Sequence, residues 1–318
     1  MSTSTKAESS VQSAFAGLID DAGLFPPAAL SMEHAVDRYI RARAGEHAWI
    51  LGRFIVPASR LDELVTVLRR TNAPEPVPLS VIVDSDPHPR RWFGSAQSML
   101  ADVSLMRSTV SHVSIEVLEA ALPPLATRRE TFDASIGQLA ALAGQASLRD
   151  LAMYVELPRD PRFDELLRLS VAALGRARLG AKLRCGGVSA EAFPGVEEVA
   201  AFVTAVSEAA VPFKATAGLH HPVRHLDVAN GFVMHGFLNL LAAATFTHRT
   251  DAAMLAQIVA EEDPRAFYFD ADGFVWRDLR ASSEELAAMR RRFVGYGSCS
   301  FTEPIADLIT LSVLPNPQ

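Results

Sequence analysis

From residue 14 onward the chain alternates short apolar or β-branched runs with longer stretches of helical periodicity, and this constrains the fold more than any other feature. Such alternation signals parallel βαβ units. The expected strands are Ala16 to Asp20, Trp49 to Val56, Pro78 to Val83, His112 to Val117, Leu151 to Leu157, Ala181 to Arg184, Pro212 to Thr216 and Phe293 to Phe301. Between them the periodicity predicts helices over Met32 to Ala44, Arg60 to Arg70, Pro89 to Ser104, Thr127 to Ala143, Arg162 to Arg178, Gly195 to Ala209 and Val233 to Ala244. Eight strands with crossover helices predict an α/β fold, a (β/α)8 TIM barrel. The 318 residues exceed the usual ~100 to 200 of one domain, yet barrels of this class run to about 250 or more as a unit.

The eighth strand is delayed by a helix, Asp251 to Glu261, and by two apolar runs within Phe267 to Trp276 that flank an Asp272-Gly273 turn. These predict an inserted helix and β-hairpin. A further helix, Ser283 to Arg292, leads into the strand, and Thr302 to Leu308, with Pro304 near the first turn, announces a closing helix. No linker divides the chain, so residues 14–318 are expected to form one domain behind a flexible polar tail, residues 1–13. The aromatic residues of the hairpin need a surface to cover, which makes it the expected contact in a homo-oligomer.

Hydrophobic residues make up 49% of the chain and charged residues 21%, an ordinary globular composition. The net charge of -7 provides no basic surface for tracking phosphates, so nucleic acid is not an expected partner. The most apolar stretch, Gly236 to Phe246, is shorter than the ~18 to 20 residues that cross a bilayer, so no membrane association is expected. The tail lacks the apolar segment of a secretory signal. Cys185 and Cys299 match no disulfide or zinc spacing, and a cytoplasmic location is expected. No dinucleotide fingerprint or Walker loop occurs, and no cofactor is expected.

Barrel enzymes carry their active sites at the carboxyl ends of the strands. Strand alternation puts Tyr154 and Glu156 on one face, and likewise His112, Ser114 and Glu116, then Lys182 and Arg184, then Lys214 and Thr216. Leu183, Phe213 and Ala215 take the opposite, apolar face. Structural ion pairing, Glu156 with Lys182 for example, is the plain alternative. Barrel interiors are filled mainly by aliphatic side chains, so a catalytic role is the stronger expectation. Lys214 is followed by a small-residue turn ending at Gly218, then His220 and His221, and Arg184 by Gly186 and Gly187. Both turns suit an anionic ligand held by backbone amides. Ser298 and Ser300 end the eighth strand and are further candidate anion contacts, although Ser300 and Glu303 also have capping-box spacing. Asp20 and Asp21 either join the site or open the first loop, and Asp84 is expected to serve its loop. The cysteines lack an obvious base, so a cysteine nucleophile is not expected.

Two lysines on neighbouring strands each disfavour protonation of the other, which lowers an amine toward neutrality and lets it attack a carbonyl. Glu156 or Glu116 would then move protons. The segment Lys214-Ala-Thr-Ala-Gly218 resembles the Lys-Thr-Ser-Thr-Gly segment of deoxyribose-phosphate-type class I aldolases. Lys182-Leu-Arg-Cys-Gly-Gly187 resembles their second lysine with its glycine pair, in reverse chain order. The resemblance spans about a dozen residues. It implies a barrel forming a Schiff base at Lys214, with Lys182 lowering its pKa, in a lyase acting on a small carboxylated or phosphorylated carbonyl compound gripped by Arg184. Two alternatives stand beside it. One is a metal-dependent isomerase or lyase using a divalent ion on Glu116, Glu156 and either His220 or His221. The other is a noncatalytic small-molecule-binding barrel, which the cost of burying idle charge disfavours.

Overall fold

The computed structural model describes residues 10–71, 76–123, 129–158, 163–228, 231–270 and 272–316. Eight strands close into a parallel barrel. They are β1 (Ile19–Asp21), β2 (Leu51–Pro57), β3 (Val77–Val83), β4 (Val113–Ala121), β5 (Ala152–Glu156), β6 (Gly180–Arg184), β7 (Phe213–Thr216) and, last in the chain, β13 (Phe293–Ser298), which lies between β7 and β1. Helices α1 (Met32–Arg43), α2 (Leu61–Thr71), α3 (Pro89–Thr109), α4 (Arg129–Ala143), α5 (Phe163–Ala177) and α6 (Val196–Glu208) each follow a strand. Their apolar stripes cover the outward strand faces, as with Leu64 and Leu68 of α2 and Phe202 and Val206 of α6, all buried.

The chain beyond β7 departs from the simple repeat. The helix expected from Val233 instead begins at Phe237. Val233 and Met234 form β9, which pairs with β8 (His225–Leu226) in a two-stranded ribbon on the loop before α7 (Phe237–Phe246). The inserted helix, α8 (Ala252–Ala260), and the hairpin β10 (Phe267–Asp270) with β11 (Gly273–Trp276) are present, and a third strand, β12 (Leu279–Ala281), extends the hairpin. Two of its aromatic residues find their surface within the chain: Phe269 lies 5.4 Å from the Phe15 ring, and Phe274 stacks on Phe246. Helix α9 (Ser283–Arg290) opens with a capping box from Ser282 and Glu285, and α10 (Thr302–Thr310) closes the chain. Most of the expected N-terminal tail lies outside the described residues, as do Thr127 and Arg162 at two expected helix starts. Residues 10–15 are helical, and Ser10 is buried beside Ser283, so ordered structure begins ahead of residue 14. Among the described residues no helix is long and apolar enough to cross a membrane.

Strand β4 bears directly on the site. Its pairing with β3 advances from Leu79↔Ile115 to Ser80↔Val117, leaving Glu116 as an extra residue. Such a bulge re-aims the side chains that follow it.

Candidate active site

Lys182 and Lys214 are register partners on β6 and β7, and a single carboxylate joins them. Glu119 of β4 accepts from Lys214 Nζ at 2.6 Å through Oε1 and from Lys182 Nζ at 2.7 Å through Oε2. Lys214 also donates to Asp20 Oδ2 of β1 at 2.5 Å and to Ser80 Oγ of β3 at 3.2 Å, while Ser80 donates to Glu119 at 2.6 Å. Side chains from opposite parts of a closed barrel meet only in its interior. Toward the strand ends, Lys182 lies 3.3 Å from Glu156, whose other oxygen accepts from Arg184 Nε at 2.7 Å. Side-chain exposure rises in steps along this chain: 1% at Lys214, Asp20 and Glu119, 6% at Lys182, 16% at Glu156 and 45% at Arg184. Thr216, the register partner of Arg184, is half-buried at the same open end.

The cluster is closely balanced, with Asp20, Glu119 and Glu156 facing Lys182, Lys214 and Arg184. Burial pushes the Glu119 carboxyl upward, but the charges and hydrogen bonds of the two lysines outweigh it and hold the group well below the usual carboxylate range. Glu156 is likewise raised by burial and lowered further by Lys182 and Arg184, for a net decrease. For Lys214, burial alone would favour the free amine, yet Asp20 and Glu119 reverse this and raise its pKa. This corrects the expected lowering at Lys214: with Glu119 on one side and Asp20 on the other, its ammonium form is favoured.

Asp20 is positioned by the backbone of β2, since its Oδ1 accepts from the Arg53 N–H at 2.6 Å. A Cβ on Gly52 would collide with that same oxygen. Gly52→Ala is therefore expected to cost about 1–3 kcal/mol, the usual range for overpacking, read as a lower denaturant midpoint with an unchanged slope. Asp21, next in the chain, points elsewhere, accepting from Arg38 and from the Gly23 N–H at 2.8 Å each. Asp84, expected to open the loop after its own strand, accepts from the N–H and the hydroxyl of Ser59, just beyond β2, and so ties two neighbouring loops together.

Several expected site residues lie away from the lysines. Glu116, in the bulge, is 42% exposed and pairs with Arg53 Nε at 2.9 Å. The carboxylate that joins the lysines is Glu119. Strict alternation from Ser114 and Glu116 leads to Leu118 and Ala120, so a period-two reading misses it. The available signal was a glutamate inside the otherwise apolar run Val117 to Leu122. Gly186 and Gly218 face each other, a Cβ on Gly186 falling 2.9 Å from the Gly218 Cα, and a Cβ on Gly187 would meet Ala192 at 2.6 Å. The glycines thus let the two loops pack together, where a ligand cradle was expected. His220 and His221 turn toward α10, with Nδ1 atoms 3.3 Å from Glu303 and 2.7 Å from Asp307. The metal set of Glu116, Glu156 and a histidine is therefore not assembled, and among the described residues no group of three or more His, Cys, Asp or Glu side chains is arranged to hold a metal ion. Ser298 donates to the Ser300 carbonyl at 2.6 Å, and Ser300 Oγ accepts from the Glu303 N–H, so both shape the start of α10. Cys185 is buried with its thiol pushed up to about 12. Cys299 is also raised by burial, and its sulfur lies 3.7 Å from the nearer His220 ring nitrogen.

No protein-family model matches the sequence, and no curated protein matches it. Among solved structures, the deoxyribose phosphate aldolase from Aeropyrum pernix, described as having a unique tetrameric structure, aligns with a TM-score of 0.46 and 14% identity over 70% of this chain and 87% of that chain.

Proposed function

We propose that this barrel is a lyase of aldolase type that acts on a small carbonyl compound through a lysine Schiff base, with Lys182 as the nucleophile and Lys214 as a fixed charge beneath it. The observation that carries this reading is the exposure gradient. Lys214 is sealed under Glu119, Asp20 and Ser80 as an ammonium, whereas Lys182 is the first amine met on entering from the open end. This reverses the roles the lysine motif alone suggested.

The chemistry balances with groups present. The Lys182 ammonium gives a proton to Glu156, and the free Nζ attacks the carbonyl carbon. As the carbinolamine forms, its nitrogen passes a second proton to the oxygen and Glu156 returns the first, so the oxygen leaves as water and an iminium remains. The Glu156 carboxylate then takes the proton of the substrate's β-hydroxyl as the C–C bond breaks, its electron pair passing to the iminium to give an enamine, and protonation at carbon followed by addition of water releases the products and the free lysine. Lys214 keeps Glu119 ionised, and that carboxylate stabilises the cationic nitrogen in place of water. Arg184, at the rim, suits a carboxylate or phosphate end of the substrate.

Incubation with acetaldehyde, pyruvate or glycolaldehyde phosphate and cyanoborohydride, followed by peptide mass mapping, tests the assignment. A reduced adduct on Lys182 is expected with at least one compound. An adduct confined to Lys214, or none with any of the three, overturns it.

A further inference from the structure

The ion pairs that run from Arg184 at the rim down to Asp20 do not end there. Arg53 of β2 continues them toward the amino ends of the strands: its Nη1 lies 3.9 Å from Asp20 Oδ1, and its Nε lies 2.9 Å from Glu116 Oε2. No aligned hydrogen bond fixes Arg53 Nε, so charge alone shares the guanidinium between the two carboxylates. Positive and negative groups alternate over the whole run. Its interior members are buried, whereas Glu116 is 42% exposed at one end and Arg184 45% exposed at the other.

Asp20 is the junction. Its Oδ2 takes the Lys214 ammonium at 2.5 Å, and its Oδ1 takes the backbone N–H of Arg53 at 2.6 Å. That backbone bond survives any replacement of the Arg53 side chain, so such a replacement alters charge more than geometry. Other groups face the same junction. Ser80 Oγ lies 3.2 Å from Lys214, and Tyr154 of β5, raised in pKa by burial, is also subject to the charges of Lys214, Arg53, Asp20 and Glu119. Arg290 of α9, lowered in pKa by burial, is subject to Asp20 and Arg53 and donates to the carbonyls of Ala16, Phe293 and Val294.

An opposite charge nearby favours an ionised group and a like charge disfavours it. Asp20 therefore supports the Lys214 ammonium less when Arg53 leans on it and more when Glu116 draws the guanidinium away. Glu119 passes that balance on, because it serves Lys214 through one oxygen and Lys182, which Glu156 also faces, through the other. We propose that Arg53 and Glu116 are positioning residues for the lysine pair: by dividing the charge of Asp20 between Lys214 and a guanidinium, they set from the far end of the barrel the pH at which Lys182 becomes a free amine. The catalytic consequence rests on Lys182 as the nucleophile, while the charge coupling does not.

Reductive methylation of the full-length chain with formaldehyde and cyanoborohydride, followed from neutral to alkaline pH by peptide mass mapping, tests this. Formaldehyde is small and labels amines in general, and lysine occurs only at positions 6, 182 and 214, so the Lys182 peptide is assigned without the natural substrate. Glu116→Gln is expected to move the labelling midpoint of Lys182 to lower pH and Arg53→Met to higher pH, each by on the order of 0.3 to 0.5 of a pH unit, more at low salt and less for the exposed Glu116. The double variant, neutral at both positions, should return close to wild type, and Arg53→Gln replaces Arg53→Met if the latter does not fold. A purely structural role moves both single variants the same way or neither. Shifts in one direction, no shift in either single variant, or a double variant no closer to wild type than the singles overturns the proposal. Failure of the Schiff-base reading shows instead as absence of Lys182 adducts with the carbonyl compounds named above, which leaves these midpoints legible.

Discussion

Lys182→Met is expected to reduce deuterium exchange at the α-carbon of a bound carbonyl compound by on the order of 10³-fold or more, because the covalent route has no substitute once its amine is gone. The exchange is read by proton NMR in D2O with the compound that traps best, and it reports enamine formation without knowledge of the natural partner substrate. Methionine matches the length and volume of the lysine stem. Glu119 retains Lys214 and Ser80 as partners in the variant, so folding should survive. Glu156→Gln should cost less, on the order of 10² to 10⁴-fold, as expected for loss of a proton carrier. Exchange that persists in Lys182→Met would transfer the nucleophile to another residue.

The largest effect on stability is expected at Lys214. Removing its charge leaves Asp20, 1% exposed in the barrel interior, without its lysine, while Glu119 keeps Lys182, and breaking a buried pair in this way costs about 3–5 kcal/mol. Lys214→Met should therefore unfold at a much lower denaturant concentration. Combining it with Asp20→Asn, which removes the stranded carboxylate and leaves Glu119 and Glu156 facing Lys182 and Arg184, should restore a large part of the loss. Simple additivity of the two substitutions would mean that these groups do not act as a network.

The same network sets a pH window. Glu119 titrates lower when folded than when unfolded, so its contribution is complete above the unfolded carboxylate range near ~4.3 and is lost as the pH falls below it. Lys214 titrates higher when folded, so its contribution is complete below ~10.4 and is lost only above that value. The wild-type chain should lose stability steeply on acidification, and the Lys214→Met/Asp20→Asn variant, in which Glu119 keeps one lysine in place of two, more gently.

The barrel was legible in the sequence because each crossover repeats a local signal: a β-branched run, then a helix whose apolar stripe must cover that strand. Lys182, Lys214, Glu156, Arg184 and Thr216 were legible for the same reason, since regular strands alternate and these residues lie near regular strand ends. The hairpin was announced by Asp272-Gly273, but not its third strand, because Leu279 to Ala281 is too short to carry a periodic signal of its own.

What the sequence alone determined was which elements form and which face of each regular strand is polar, both consequences of local periodicity. What the tertiary structure decided was which charges meet. The extra residue at Glu116 shifts β4 so that Glu119 joins the lysines, Arg53 captures Glu116, α10 draws His220 and His221 aside, and Asp20 and Glu119, outweighing burial, raise the pKa of Lys214. Register, burial and charge pairing depend on residues far apart in the chain, and no local pattern encodes them.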